Sequence, residues 1–230
     1  MYQSADPVLR PLRTIAYIDG YNLYYSALTG SRFKWLDLRR LIEQIIMESA
    51  PNPAFELVTV KFFTAPVLGR YASDPASPDR QRRYHNALKF APSGPTEVIN
   101  GYHASTIKKA RLLETGELKR VEVLEEKQTD VNISLHMYRD AAYNRINQIV
   151  LVSNDSDLAP ALDIVKHDFP DIVRGVVLPS LNRSSRRSGQ LDALAHWTRR
   201  QLKADDLSQS QLPRAVLNRK GKPILKPDAW

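Results

Sequence analysis

The sequence predicts an α/β fold in which helices cover both faces of a mainly parallel sheet. Short apolar runs such as LVTVKFF (residues 57–63) and QIVLV (residues 148–152) are dense in β-branched and aromatic residues, as buried strands are. Between such runs lie segments with helical spacing of apolar residues. Strands that alternate with helices are typical of a parallel sheet. A length of 230 residues, 43% of them hydrophobic, suits one globular domain.

The first half of the chain begins with a predicted strand at residues 14–18, which runs into an Asp19-Gly20 turn. In residues 38–46 the apolar positions follow i, i+3, i+4, i+7 and i+8, which predicts an amphipathic helix that Asp37 can cap. Three further elements are predicted before residue 91: a strand at 57–63, a loop at 66–78 and a helix at 79–90.

The second half repeats the alternation. Its predicted strands are residues 96–102, 121–124, 148–152 and 172–178, with the basic stretch 108–111 between the first two. Its predicted helices are residues 131–143, opened by Asp130, 158–167 and 190–203. We therefore expect an N-terminal extension (residues 1–13), a globular domain (14–203) and a basic, flexible tail (204–230) rich in Pro, Lys and Gln.

The net charge of +8 is concentrated at one end. Residues 172–230 hold twelve Lys or Arg against four Asp or Glu, which accounts for the whole excess. A basic flank of this kind attracts polyanions and indicates a nucleic-acid partner, and its alternative role is a solubilising surface.

Composition also limits the classes of function. There is no cysteine, which excludes disulfides and thiolate zinc sites. The N-terminal residues are polar and no apolar run reaches membrane-spanning length, so we expect a cytoplasmic protein without a membrane partner; its oligomeric state is left open. The chain lacks GxGxxG and GKS/T motifs, which argues against dinucleotide and P-loop binding.

Acidic residues follow the predicted strands. Asp19 ends the first strand, Asp130 opens a helix, and Asp155 and Asp157 follow the strand at 148–152. Each taken alone is commonly a turn or a helix cap. Ligands of open α/β sheets bind at the carboxyl ends of the strands, so we expect these carboxylates to converge. Converging carboxylates repel one another unless a cation lies among them, and oxygen ligands favour Mg²⁺ or Mn²⁺, which can activate water against a phosphodiester.

Three segments carry a resemblance to a known family. IAYIDGYNLY (residues 15–24), QTDV (128–131) and IVLVSNDSDL (149–158) resemble the NYN domain of the PIN-like nuclease superfamily, with the correct order and plausible spacing. The resemblance implies a PIN-like α/β/α sandwich over residues 14–203 and a metal-dependent ribonuclease. It further implies that Asp19, Asp130 and Asp155 bind the metal, that Asp157 lies beside them, and that Asn22 arranges the first acidic loop.

Two departures from the family pattern keep an alternative open. Many relatives have Gly where Asn154 lies, although Asn tolerates a left-handed turn better than most residues. Many also carry an acid six residues after Asp130, where this chain has His136. The alternative is therefore an inactive RNA-binding module with the same fold. A phosphatase of the haloacid-dehalogenase type would need a second acid where this chain has Tyr21, which argues against that class.

Candidate RNA contacts are basic residues outside the acidic cluster. We expect them at Arg183, Arg186 and Arg187 after the last predicted parallel strand, at Lys108 and Lys109, and at Arg82 on a short helix. For each of these, a solvated basic surface is the alternative.

Overall fold

A parallel sheet forms the centre of the computed structural model, which describes residues 10–181 and 189–230. Within these residues the sheet has six strands, which are β1 (Leu12–Asp19), β2 (Phe55–Thr64), β3 (Thr96–Asn100), β6 (Gln148–Val152), β7 (Val173–Val177) and β8 (Trp197–Arg199). They lie in the order β3-β2-β1-β6-β7-β8. Every neighbouring pair runs parallel. The predicted α/β class with a mainly parallel sheet is confirmed.

Helices cover both faces of this sheet, because successive strand residues point to opposite faces. Ala16 and Ile18 of β1 belong to one core cluster, and Ile15 and Tyr17 belong to the other. The helices are α1 (Gly20–Leu23), α2 (Leu38–Ser49), α3 (Ser77–Leu88), α4 (Thr129–Ala142), α5 (Ala159–Asp168), α6 (Gly189–Leu194) and α7 (Ala204–Gln209). The first cluster packs under α2 and α3, and the second packs under α4 and α5.

A hairpin that the sequence did not predict stands outside the main sheet. β4 (Tyr102–Arg111) and β5 (Leu118–Lys127) pair with each other in antiparallel register. Residues 108–111, expected to separate two strands, lie inside β4. The prediction failed because most side chains of the hairpin are exposed, so its sequence lacks the apolar pattern of a buried strand.

The predicted helix at residues 190–203 is wrong after Leu194, since β8 follows at Trp197–Arg199. β8 pairs with β7, and Trp197 lies opposite Gly175. A Cβ on Gly175 would lie 2.1 Å from the Trp197 ring, so the missing side chain makes room for the indole. This tertiary contact overrides the helical spacing.

Residues 204–230 are folded onto the core, which corrects the prediction of a flexible tail. They form α7 and a small antiparallel hairpin of β9 (Ala215–Leu217) and β10 (Pro223–Leu225). Leu207, Leu212 and Val216 are buried in the first core cluster. In addition, the Trp35 indole Nε1 donates to the carbonyl of Pro213 at 2.9 Å. No helix among the described residues has both the length and the apolar character needed to cross a bilayer.

Candidate acidic site at the carboxyl edge of the sheet

Asp19 lies at the carboxyl end of β1, where the chain turns directly into α1. Its side chain is only 4% exposed. One carboxylate oxygen accepts from the backbone N–H of Asn22 at 2.9 Å, which caps α1, and the other accepts from the Ser153 hydroxyl at 3.0 Å. The turn requires Gly20, because a Cβ there would lie 2.6 Å from the carbonyl oxygen of Phe63. The sequence thus positions a buried carboxylate at the sheet edge.

Asn22 and Asn154 join the loops that follow β1 and β6. The Asn22 amide donates to Asn154 Oδ1 at 2.7 Å, and the Asn154 backbone N–H donates to Asn22 Oδ1 at 3.2 Å. Asn154 does not have a left-handed backbone, since among the described non-glycine residues positive φ occurs at Gln128 and Asn144. Asn154 contributes the hydrogen bonds to Asn22, and no left-handed turn is needed at this position.

Asp155 and Asp157 follow β6 in a short turn. Asp155 accepts from the backbone N–H of Asp157 at 2.9 Å and caps the 3₁₀ turn Ser156–Leu158. Ser153 is fully buried and accepts from the backbone N–H of Asp155 at 3.0 Å while its hydroxyl donates to Asp19. Ser153 therefore couples two predicted metal ligands. Sequence reasoning did not assign it a role, although its place directly after β6 was a usable signal.

Asp130 lies in the first turn of α4, whose N-cap is Gln128 with a φ of 75°. The pKa of Asp130 is raised by burial and then by the negative charges of Asp155, Glu126 and Asp157. Glu126, at the end of β5, is a member of this acidic group that the sequence analysis missed. The sequence shows Glu126 four residues before Asp130. Its position beside the acidic group could be inferred only with the hairpin of β4 and β5, which was not predicted.

Burial and acidic neighbours raise the pKa of Asp19 to about 6 from an ordinary value of 3.8. Desolvation is the largest cause, and the charges of Asp130 and Glu126 add to it. The hydrogen bonds from Asn22 and Ser153 oppose the shift by stabilising the charged form. The structure thus brings Asp19, Asp130, Asp155 and Asp157 to one edge, where ionising them together is electrostatically unfavourable.

The chemistry of these donors fits a hard divalent cation, because all are oxygen atoms and their mutual repulsion would fall when a cation binds. Within residues 10–181 and 189–230, no three Asp, Glu or His side chains lie close enough together to coordinate one metal ion. Binding of a cation would therefore draw these carboxylates closer together.

His136 belongs to a buried network rather than to the acidic edge. Its Nδ1 lies 3.3 Å from Lys61 Nζ, and its ring packs edge-on against Phe63 at 5.4 Å between centroids. Lys61 pairs with the buried Asp140, which also accepts from the Tyr17 hydroxyl at 2.9 Å. Burial, Lys61 and Arg139 lower the pKa of His136. An imidazole carries no negative charge in either protonation state, so His136 does not replace the family's acid.

The candidate RNA-binding residues are dispersed. Lys108 and Lys109 lie on β4, and Lys108 forms an ion pair with Glu125. The Lys108 backbone lies five positions from His103, the β4 residue opposite Glu126, which is on the order of 17 Å along the hairpin. Its side chain reaches back to Glu125, the residue before Glu126. Arg82 is exposed on α3 and pairs with Asp79. Arg183, Arg186 and Arg187 lie outside the described residues.

Part of the basic excess of residues 172–230 is used inside the fold. Arg174 is 5% exposed and donates to the carbonyls of Leu194 and Ile172. Arg199 forms ion pairs with Glu48 and Asp206. The charge available to a polyanion is therefore smaller than the sequence count indicates.

The chain is similar to proteins of two bacteria and matches the profile of one domain family. A curated relative from Pseudomonas putida, named 6-hydroxy-3-succinoylpyridine 3-monooxygenase HspA, is 36% identical over 96% of this chain and 76% of its own length. A crystal structure of a protein of unknown function from Vibrio parahaemolyticus is similar with a TM-score of 0.49 and 18% identity, over 93% of this chain and all of that one. The NYN domain profile matches residues 13–173, which contain the whole acidic edge. The chain belongs to the NYN domain family.

Proposed function

We propose that this protein is a metal-dependent ribonuclease that hydrolyses RNA phosphodiester bonds. The observation that carries the proposal is the burial of Asp19 at the carboxyl edge of the sheet, within the field of Asp130 and Glu126, with its pKa raised to about 6. Asp19 caps α1, but ionising it at this buried position destabilises the fold, and strongly perturbed groups at a binding edge are typical of functional sites. Membership of the NYN family supports the same reaction class.

Asp19, Asp130 and Asp155 would hold one Mg²⁺ or Mn²⁺, with Asp157 beside them. When bound, such an ion supplies a water activated for attack and charge stabilisation for the departing oxygen. The hydrogen bonds from Asn22 and Ser153 fix both oxygens of Asp19, so its orientation does not depend on a ligand. The two hydrogen bonds between Asn22 and Asn154 hold the acidic loops after β1 and β6 against each other. By analogy with the family, the products carry a 5′-phosphate and a 3′-hydroxyl.

Incubation of the purified protein with total RNA tests this proposal. Cleavage should require Mn²⁺ or Mg²⁺, stop in chelator, and fall sharply in Asp19→Asn. Asp171→Asn is the matched control, because Asp171 is exposed and precedes β7 at the opposite edge of the sheet. RNA binding without cleavage under all metal conditions would instead favour the inactive RNA-binding module.

A second candidate function follows from the relative in Pseudomonas putida. The name of that protein describes oxygenation of a hydroxypyridine ring, and its 36% identity extends over almost all of this chain. On this alternative the chain would bind a small heteroaromatic acid and require O₂ and a reductant. Consumption of 6-hydroxy-3-succinoylpyridine with O₂ and reduced nicotinamide, without RNA cleavage, would establish it over the ribonuclease.

A further inference from the structure

A cavity of about 390 Å³ adjoins the acidic edge. Gly20 and Glu126 belong to its lining, so it opens beside Asp19. Its volume is within the range of small-ligand pockets, roughly 300–1,000 Å³. We name it the tyrosine cavity after three of its wall residues, Tyr21, Tyr24 and Tyr25.

The three tyrosines form an exposed aromatic platform. They occupy positions i, i+3 and i+4 on one face of α1 and the π-turn that follows it, and such turns frequently occur at functional sites. Tyr21 is 51% exposed and Tyr25 is 59% exposed, with their ring centroids 4.5 Å apart. Tyr24 meets Tyr25 edge-on at 5.2 Å. Large exposed rings that contact one another mark a binding surface, since burial would otherwise be favoured.

A second, independent feature of the same cavity is an unsatisfied ring nitrogen. His103 lies on β4 and lines the cavity, and its Nδ1 is buried without a hydrogen-bond partner. Buried polar atoms in proteins are nearly always paired, so an unpaired one in a wall residue of the cavity is a candidate partner for a ligand or a water. His85 also lines the wall; burial lowers its pKa to about 4, so that ring is neutral at pH 7.

Cations lie among the other wall residues. Lys34 lines the cavity, and its Nζ lies 5.9 Å from the Tyr24 ring centroid. Arg80 lines the cavity beside Ser77, but its guanidinium is paired with Asp74. The aromatic walls, the unpaired hydrogen-bonding atom and the Lys34 cation together match a flat, uncharged ring with polar edges that is attached to a phosphate. A nucleotide of a single strand has this chemistry.

We propose that the tyrosine cavity binds one unstacked nucleobase of the RNA strand, with Tyr21 and Tyr25 as the stacking platform and His103 as the group that reads the base edge. The inference rests on the proposed function, because the bound nucleotide is the neighbour of the scissile phosphate at the acidic edge. His103 is then a determinant of base preference. The hairpin of β4 and β5 contributes to the site by placing His103 and Glu126 opposite each other.

Fluorescence titration of an RNA trinucleotide with a central 2-aminopurine, in chelator, measures binding to this cavity without cleavage. Tyr25→Leu should raise Kd by roughly fivefold to a hundredfold, the usual effect of losing one base stack. Its folding is not at issue, because the ring is more than half exposed. Tyr143→Leu is the matched control, since Tyr143 is 63% exposed and stacks under Arg145 away from the cavity.

His103→Phe keeps a ring and removes the unpaired nitrogen. The affinities of trinucleotides with other central bases are measured by their competition with the 2-aminopurine strand. His103→Phe should change the order of affinity among them, which a purely structural role would not do. An abasic trinucleotide should compete equally well for wild type and Tyr25→Leu. Equal binding of the abasic and base-containing strands, an unchanged Kd in Tyr25→Leu, or equally tight binding of free 2-aminopurine would overturn the proposal. Loss of cleavage with the base preference retained would refute only the ribonuclease function.

Discussion

Replacing Asp19 by Asn should stabilise the metal-free protein at neutral and alkaline pH. Asp19 has its pKa raised from 3.8 to about 6, so the folded state disfavours its ionised form. The stability contribution of Asp19 is therefore fully present below pH 3.8 and is lost as the pH rises through 6. The shift corresponds to about 3 kcal/mol once Asp19 is fully ionised.

Urea unfolding in chelator at a series of pH values measures this effect. The difference in free energy of unfolding between Asp19→Asn and wild type should grow by about 3 kcal/mol in favour of the variant between pH 4 and pH 8. In a chain of this size that growth corresponds to about 6–12 °C in Tm. Asn retains an oxygen to accept from the Asn22 N–H, so the cap on α1 is preserved. Its NH₂ group cannot accept from the Ser153 hydroxyl, and this loss of about 1 kcal/mol is the same at every pH.

Added Mn²⁺ should reduce or reverse the difference in free energy of unfolding between Asp19→Asn and wild type. A free ion concentration a hundredfold above Kd stabilises wild type by about 2.7 kcal/mol, and the variant should gain less because it has lost a ligand charge. Asp171→Asn should show no pH-dependent gap. If Asp19→Asn is equally or less stable than wild type at pH 8, the carboxylate is not strained and the electrostatic reasoning fails.

Three further predictions concern the fold. Asp140→Ala should lower the free energy of unfolding by about 3–5 kcal/mol in urea titration, because it leaves the buried Lys61 without its partner. The double variant Asp140→Ala/Lys61→Met should recover part of this loss, and no recovery would contradict the account. Gly20→Ala should lower Tm through its clash with Phe63, and an unchanged Tm would show that the turn has room for a Cβ. Deletion of residues 204–230 should make the remaining chain susceptible to limited proteolysis, since it exposes the first core cluster, whereas full resistance would mean that these residues are dispensable.

The parallel sheet and its acidic edge could be predicted because their signals are local. Strands β1 and β6 each contain an apolar run, residues 15–18 and 149–152. β1 ends on Asp19, and β6 ends three residues before Asp155. The predicted helix cap at Asp37 is confirmed, since its carboxylate accepts from the Arg40 N–H at 3.2 Å. In these elements, pattern and tertiary environment favour the same conformation.

The remaining features depend on contacts between distant residues. β8 forms because Gly175 leaves space for the Trp197 ring. Residues 204–230 are folded because they pack against the first core cluster and accept a hydrogen bond from Trp35. A Pro- and Lys-rich composition indicates flexibility only when no such surface is available. The role of Glu126 was invisible for the same reason, since it required the hairpin of β4 and β5.

The rate of cleavage of one end-labelled RNA in Mn²⁺, compared between wild type, Asp155→Asn and Asp171→Asn, tests the central claim most directly. Asn at position 155 can still accept from the Asp157 N–H, so the turn is kept while one ligand charge is removed. The account predicts a loss of orders of magnitude in Asp155→Asn, an unchanged rate in Asp171→Asn, and no cleavage by any of them in chelator. Equal rates in wild type and Asp155→Asn, or cleavage that persists in chelator, would contradict a carboxylate-bound metal at this edge.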